Sequence, residues 1–321
     1  MGMIMIQMKK YSSDFENLYV EHIIQNLSQE FREKIVDSCR KFFPSDITLV
    51  DIQSLILLSY ENQKKVIDNI NDTKIAMTGS YHNMKKECFY LEPITSKEIK
   101  TEIYNDYAKL YATRVVNKVN NKKMNILLVN ESRMYVCPYC NRNFINSRDD
   151  RMGSQLDHFY PISEFPFFAV SLYNLIPSCN VCNHIKQEKA LSISPFKARS
   201  IEDSLTFEFL FTDYNNVLPI FIEGKNVKRD VDILRLKEAY EIHGVDIMNM
   251  LDREKKYCGS FKKEIMRVLP HITDREIDII VFGTAIVECD FQNIPLSKMK
   301  YDIYTQIKKT RETTYVTRPG Y

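Results

Sequence analysis

The chain of 321 residues is 44% hydrophobic and 27% charged, which excludes general disorder and allows a substantial buried core. Eight glycines and 11 prolines are too few for an all-β fold built on tight turns, and a net charge of +2 does not by itself indicate a polyanionic partner. The apolar run from Ile277 to Val287 contains Asp278 and falls short of the ~18 residues of a bilayer span, and Met1 to Ile6 lacks the basic start of a signal peptide, so a cytoplasmic protein is expected.

In chain order, helical patterns are expected over 14 to 27, 28 to 43 and 48 to 70, followed by a loop with a short extended piece over 73 to 95. Residues 96 to 119 place Ile99, Ile103, Tyr107, Leu110 or Tyr111, and Val115 at helical spacing behind a Thr95-x-x-Glu98 capping box, which predicts a further helix. Residues 1 to 130 therefore read as a helical module.

The next stretch, 131 to 200, contains the chemistry. Four of the eight cysteines form two Cys-x-x-Cys pairs, Cys137 with Cys140 and Cys179 with Cys182, separated by 38 residues. In a reducing compartment disulfides are disfavoured, and two such pairs read as the four thiolates of a tetrahedral zinc site. A four-cysteine zinc has no open position for water, so its role would be structural and the reactive groups would lie between the pairs. Cys39, Cys88, Cys258 and Cys289 are isolated and read as small buried hydrophobes. His22, His82, His243 and His271 have no ligand partners at a recognisable spacing and read as surface or core histidines.

From 201 to 321, Leu205 to Phe211 and Leu218 to Ile222 read as two short strands around Asn215-Asn216. Helices then follow near 230 to 242, 244 to 269, 273 to 289 and 296 to 310, the third opened by a Thr273-x-x-Glu276 box. The expected fold is mainly helical α+β: a small central zinc-knuckle core between helical N- and C-terminal modules.

Between the knuckles the sequence reads Gln155-Leu-Asp-His-Phe-Tyr-Pro-Ile-Ser163, then Ser171-Leu-Tyr-Asn-Leu-Ile-Pro177, then Cys179-Asn-Val-Cys-Asn-His-Ile-Lys186. Asp-His with a proline three residues on, Asn-Leu before the second knuckle, and Cys-x-x-Cys-Asn-x-x-Lys after it resemble the HNH endonuclease family, over residues 135 to about 190. The resemblance implies a ββα-metal core. It makes His158 the general base, Asp157 and Asn183 the ligands of a catalytic cation, and Asn174 the amide that holds the loop around His158. An Asp and Asn pair offers oxygen only, which suits Mg²⁺ or Mn²⁺. His184 stands one position past the family ligand, about 100° around a helix from Asn183, so Asn183 is the preferred ligand of the two. Lys186 would lie beside a backbone phosphate of the substrate.

The implied activity is metal-dependent hydrolysis of phosphodiesters in DNA, with RNA also open. More distantly, the arrangement resembles stand-alone bacterial HNH proteins that act with an ATPase, such as the nuclease of Septu-type phage defence. This chain carries no phosphate-binding Gly-x-x-x-x-Gly-Lys-Ser/Thr loop of its own, so an ATPase would be a separate partner. The alternative is a non-catalytic zinc-knuckle module that binds nucleic acid or protein.

Overall fold

Ser12 opens the first helix. Its hydroxyl accepts the Phe15 amide at 3.3 Å, and Phe15, Tyr19 and Ile23 recur every fourth residue to bury one face. The computed structural model describes residues 6–40, 42–78, 122–149, 151–162, 164–197, 203, 205–211, 217–257, 259–282, 287 and 290–316. Among them the fold is mainly helical α+β, with two small two-stranded antiparallel sheets. The helix expected over 96 to 119 lies outside the described residues. No helix among the described residues is long and apolar enough to cross a membrane.

Two compact units are distinguished. One comprises Gln7–Met134 with Phe144–Ala198, and the other Met1–Ile6 with Tyr135–Asn143 and Arg199–Tyr321.

In the first unit, α1 (Ser13–Asn26) and α2 (Gln29–Arg40) are followed by α3 (Ile52–Ile56) and α4 (Tyr60–Thr78). The single helix expected over 48 to 70 is thus two. Ser59 interrupts it by capping a new start, its hydroxyl accepting the Asn62 amide at 3.3 Å, while buried Gln63 donates back to the Leu58 carbonyl at 2.9 Å. Next come α5 (Met124–Glu131), then β1 (Gln155–His158) and β2 (Leu175–Ser178), paired antiparallel from Gln155 opposite Ser178 to His158 opposite Leu175. Helix α6 (Asn180–Lys186) packs against β1. It ends at Lys186 because Gln187 has a positive φ of 50°, which breaks the α-helical ladder.

The helices and the loop between β1 and β2 share one aromatic core. Tyr60 lies parallel to Tyr160, with ring centroids 6.2 Å apart, and edge-on to Phe159 at 5.7 Å. The Ser171 hydroxyl donates to the Leu55 carbonyl of α3 at 2.8 Å, and the Tyr19 hydroxyl donates to the Val170 carbonyl at 3.2 Å. The loop that follows His158 is therefore supported by α1 and α3.

In the second unit, β3 (Leu205–Phe211) pairs with β4 (Val217–Glu223), close to the two strands expected. Buried Phe207 packs against Tyr240 with the rings tilted by 47° and their centroids 4.6 Å apart. Helices α7 (Lys228–Ile233) and α8 (Leu236–Tyr240) replace the one expected over 230 to 242, Arg235 taking a left-handed φ of 49° between them. Helices α9 (Gly244–Lys256), α10 (Gly259–Val268), α11 (Asp274–Phe282) and α12 (Ser297–Val316) complete the unit, with α9 along β4 and α12 along β3. The Thr273 and Glu276 box is formed: the Thr273 amide donates to the Glu276 carboxylate at 2.8 Å and the Glu276 amide to the Thr273 hydroxyl at 3.3 Å.

Candidate functional site

The four knuckle cysteines are buried, and their sulfur atoms all lie within 4.8 Å of one another. None is in a disulfide. A tetrahedron of sulfurs about a zinc at ~2.3 Å has edges of about 3.8 Å, so this cluster is the size a Zn²⁺ ion needs, and its all-thiolate donor set is the one structural zinc takes.

Each knuckle is locally braced. At Cys137 to Cys140 the Asn141 amide donates to the Cys137 carbonyl at 2.8 Å, and the Cys137 amide donates to the Asn143 carbonyl at 2.9 Å. Asn141 takes φ 49°, a left-handed turn that asparagine tolerates better than most residues. Its buried side chain donates to the Phe291 carbonyl at 2.9 Å and accepts the Lys298 amide at 2.9 Å. The Tyr240 hydroxyl donates to the Cys140 carbonyl at 2.6 Å. At the other knuckle, the Cys179 sulfur accepts the Cys182 amide at 3.4 Å and caps α6. That bond stabilises a thiolate at the helix start.

The hairpin β1–β2 and α6 bring Asp157, His158, Asn174 and Lys186 into one bonded network. Asn174, fully buried, lies at the end of a short 3₁₀ turn immediately before β2. Its amide oxygen accepts the Tyr160 amide at 2.8 Å, and its amide nitrogen donates to the carbonyls of Tyr160 and Phe168, each at 3.1 Å. The Phe159 amide donates to the Asn174 carbonyl at 2.9 Å. One side chain thus ties both ends of the loop that runs from His158 to β2.

Half-buried His158 has its Nε2 3.2 Å from the Ala169 carbonyl. A carbonyl only accepts, so Nε2 carries the proton and Nδ1 carries the lone pair. Loss of hydration around the ring pushes its pKa from 6.5 down to about 4; the Ala169 carbonyl opposes that fall and the Lys186 ammonium adds to it. The imidazole is therefore neutral near pH 7.

Lys186 is fully buried and its ammonium is turned inward. It donates to Asp157 Oδ1 at 3.0 Å and to the His158 carbonyl at 2.8 Å. Asn183 is half-buried and its amide nitrogen donates to the Gln155 side chain; His184, one residue on, is exposed. Asp157 and Asn183 offer oxygen donors of the type Mg²⁺ and Mn²⁺ take. Lys186 already offsets the charge of Asp157, however, and the four cysteines are the only group of three or more His, Cys, Asp or Glu among the described residues gathered as metal ligands.

The inward lysine, the Gln155 partner of Asn183 and the Ala169 carbonyl on His158 have no signature in the sequence. A lysine at the end of a short helix reads the same whether it meets a phosphate or a buried carboxylate. Compared with protein-family models, curated proteins and solved structures, the chain matches none, so the functional reading rests on its motifs and this geometry.

Proposed function

We propose that the chain is a metal-dependent endonuclease of the HNH type, built around a structural zinc, that hydrolyses phosphodiester bonds in DNA. The observation that carries the reading is His158 itself. Its ring is neutral, its Nε2 is engaged by the Ala169 carbonyl, and the network of Asn174 fixes the loop behind it. A neutral imidazole held in one tautomer is what a general base requires.

In this reading Nδ1 of His158 removes a proton from a water molecule as the water oxygen attacks phosphorus. The bond from phosphorus to the 3′ oxygen breaks, and the departing oxygen takes a proton from solvent, leaving 5′-phosphate and 3′-hydroxyl ends. Mg²⁺ or Mn²⁺, held by Asp157 and Asn183, would supply the positive charge that offsets the developing negative charge. Asn174 acts through the loop, as a positioning residue.

Nicking of a supercoiled plasmid by zinc-loaded protein tests the proposal, with added Mg²⁺ or Mn²⁺ and with EDTA. Cleavage should need the divalent ion and fall by about 100-fold or more in His158→Ala. Equal nicking by wild type and His158→Ala refutes it. No nicking of DNA, with cleavage of a single-stranded RNA that His158→Ala loses, would reassign the substrate. The pairing of Lys186 with Asp157 favours a second reading, a zinc-knuckle module that binds without cutting; it would be supported if neither nucleic acid were cut yet DNA still bound.

A further inference from the structure

Arg142 lies two residues beyond Cys140 and is held by neutral partners. Its Nε donates to His243 Nε2 at 3.0 Å, and its guanidinium carbon sits 5.6 Å from the centroid of the Tyr240 ring. His243 can accept at Nε2 only as the Nδ1-protonated tautomer, and its Nδ1 is 2.9 Å from Asp246 Oδ2, where that proton is donated. Tyr240 is in turn fixed by its hydroxyl bond to the Cys140 carbonyl at 2.6 Å. Two residues, His243 at 101 positions and Tyr240 at 98 positions away in the chain, thus set the plane and direction of a single guanidinium.

None of these contacts neutralises it. Among the described residues no carboxylate pairs with Arg142, and the four N–H bonds of its two terminal nitrogens have no partner. The side chain is half-exposed. Arginines that serve a fold are ordinarily paired with a carboxylate or bonded to carbonyls through their terminal fork; here the fork is the part left over. An oriented fork with no carboxylate of its own matches the bidentate geometry of a phosphate, and holding it beforehand reduces the side-chain entropy cost of binding.

We infer that Arg142 is a phosphate anchor for a nucleic-acid backbone, with His243 and Tyr240 as its positioning residues. This rests on the nucleic-acid reading above, although not on cleavage. Each phosphate neutralised by a protein cation releases counterions, so the anchor has a signature in salt dependence that a structural arginine lacks.

The test measures binding of a short DNA duplex by fluorescence anisotropy over a series of NaCl concentrations, in zinc-loaded His158→Ala protein, so that binding is read without cutting. Arg142→Gln should weaken binding and reduce the slope of log K against log salt by about 0.9, the share of one phosphate contact. Arg142→Lys should keep most of the slope with weaker binding, and His243→Ala, which leaves the charge in place but frees the fork, should lower affinity with a smaller change of slope. Zinc content and thermal melting accompany each variant. An unchanged slope in Arg142→Gln overturns the inference, as does a fall in zinc content at unchanged slope, which would make Arg142 a counter-charge for the thiolates. If Arg142→Gln does not fold, an unchanged affinity in both Arg142→Lys and His243→Ala overturns it equally. The anchor and the nuclease fail separately: a reduced slope in a protein that never cuts keeps the first and removes the second.

Discussion

Lys186 holds the carboxylate of Asp157 at 3.0 Å, with side-chain exposures of 0% and 4%, so that the end of α6 is tied to β1 by an ion pair sealed from water. The bond to the His158 carbonyl gives the same ammonium a second acceptor. Taking two charges out of water is costly, and only good geometry with further hydrogen bonds repays it. The pair therefore specifies how helix and hairpin meet more than it adds net stability.

The asymmetry of buried pairs makes this testable. Lys186→Met takes the ammonium away from the buried Asp157 carboxylate and should destabilise the protein by about 3–5 kcal/mol. Lys186→Met combined with Asp157→Asn should recover a good part of that loss, because no bare charge remains. Urea denaturation of the two single variants and the double variant closes the cycle; a double variant as unstable as the sum of the singles would contradict the account.

Asn174 is the next position where one atom type decides the outcome. Asn174→Ala removes three hydrogen bonds and leaves the Tyr160 amide and two carbonyls buried, a loss of about 3 kcal/mol. Asn174→Asp keeps the shape but turns an acceptor toward the Tyr160 and Phe168 carbonyls, and should be at least as damaging. If Asn174 positions His158, both variants should also cut DNA more slowly at temperatures where they remain folded, which circular dichroism and nicking measured on the same samples would establish. Full activity in folded Asn174→Ala would remove the positioning role.

What could be read from the sequence and what could not divides by distance along the chain. The two knuckles are four-residue patterns, so the gathering of Cys137, Cys140, Cys179 and Cys182 followed from spacing alone. The strands at 205 to 211 and 217 to 223 were marked by dense β-branched and aromatic residues on either side of turn material. Ser59 divided an expected helix because apolar periodicity runs through a cap without registering it. Arg235 and Gln187 ended helices by backbone angles that neither residue type signals. The partners of Arg142 and Lys186 were hidden for another reason: His243 is 101 positions from Arg142, and Asp157 is 29 from Lys186, so only the fold brings them together.

Zinc should be retained at one ion per chain through gel filtration. An ion that gathers two distant pairs of thiolates would make its binding free energy partly folding free energy. Cys140→Ser and Cys182→Ser should each lose the metal and lower the melting temperature. Chelation should reproduce that loss in the wild type, and Zn²⁺, but not Mg²⁺, should reverse it. Retention of a full equivalent of zinc by either variant would show that the four cysteines are not its ligands.

Gly153 stands two residues before β1, where the backbone of the first knuckle's outgoing loop passes close by. A Cβ there would lie 1.8 Å from the Asn146 carbonyl oxygen, a backbone atom with no rotamer to turn away. Gly153→Ala should therefore shift the loop and cost about 1–3 kcal/mol, more than alanine normally costs outside a helix. A melting temperature equal to that of wild type would show that the two backbones do not approach each other in this way.

The cap of α3 yields a dependence on pH whose sign is fixed. Asp51 accepts the Ser54 amide at 2.9 Å and the Ser54 hydroxyl at 2.8 Å, and the backbone bond, foremost, holds its carboxyl below the usual carboxylate range. A group that releases its proton more readily in the folded state stabilises the fold above its unfolded pKa, and that contribution drains away as pH falls through the folded value. Asp51→Ala should cost about 1 kcal/mol at neutral pH, the usual worth of such a cap, and the difference from wild type should shrink as pH is lowered toward 3. Because the Leu55 carbonyl of α3 accepts the Ser171 hydroxyl of the loop that carries Asn174, hydrogen exchange in that loop should quicken in Asp51→Ala. A stability difference that grows on acidification would reverse the sign and rule out the cap as its source.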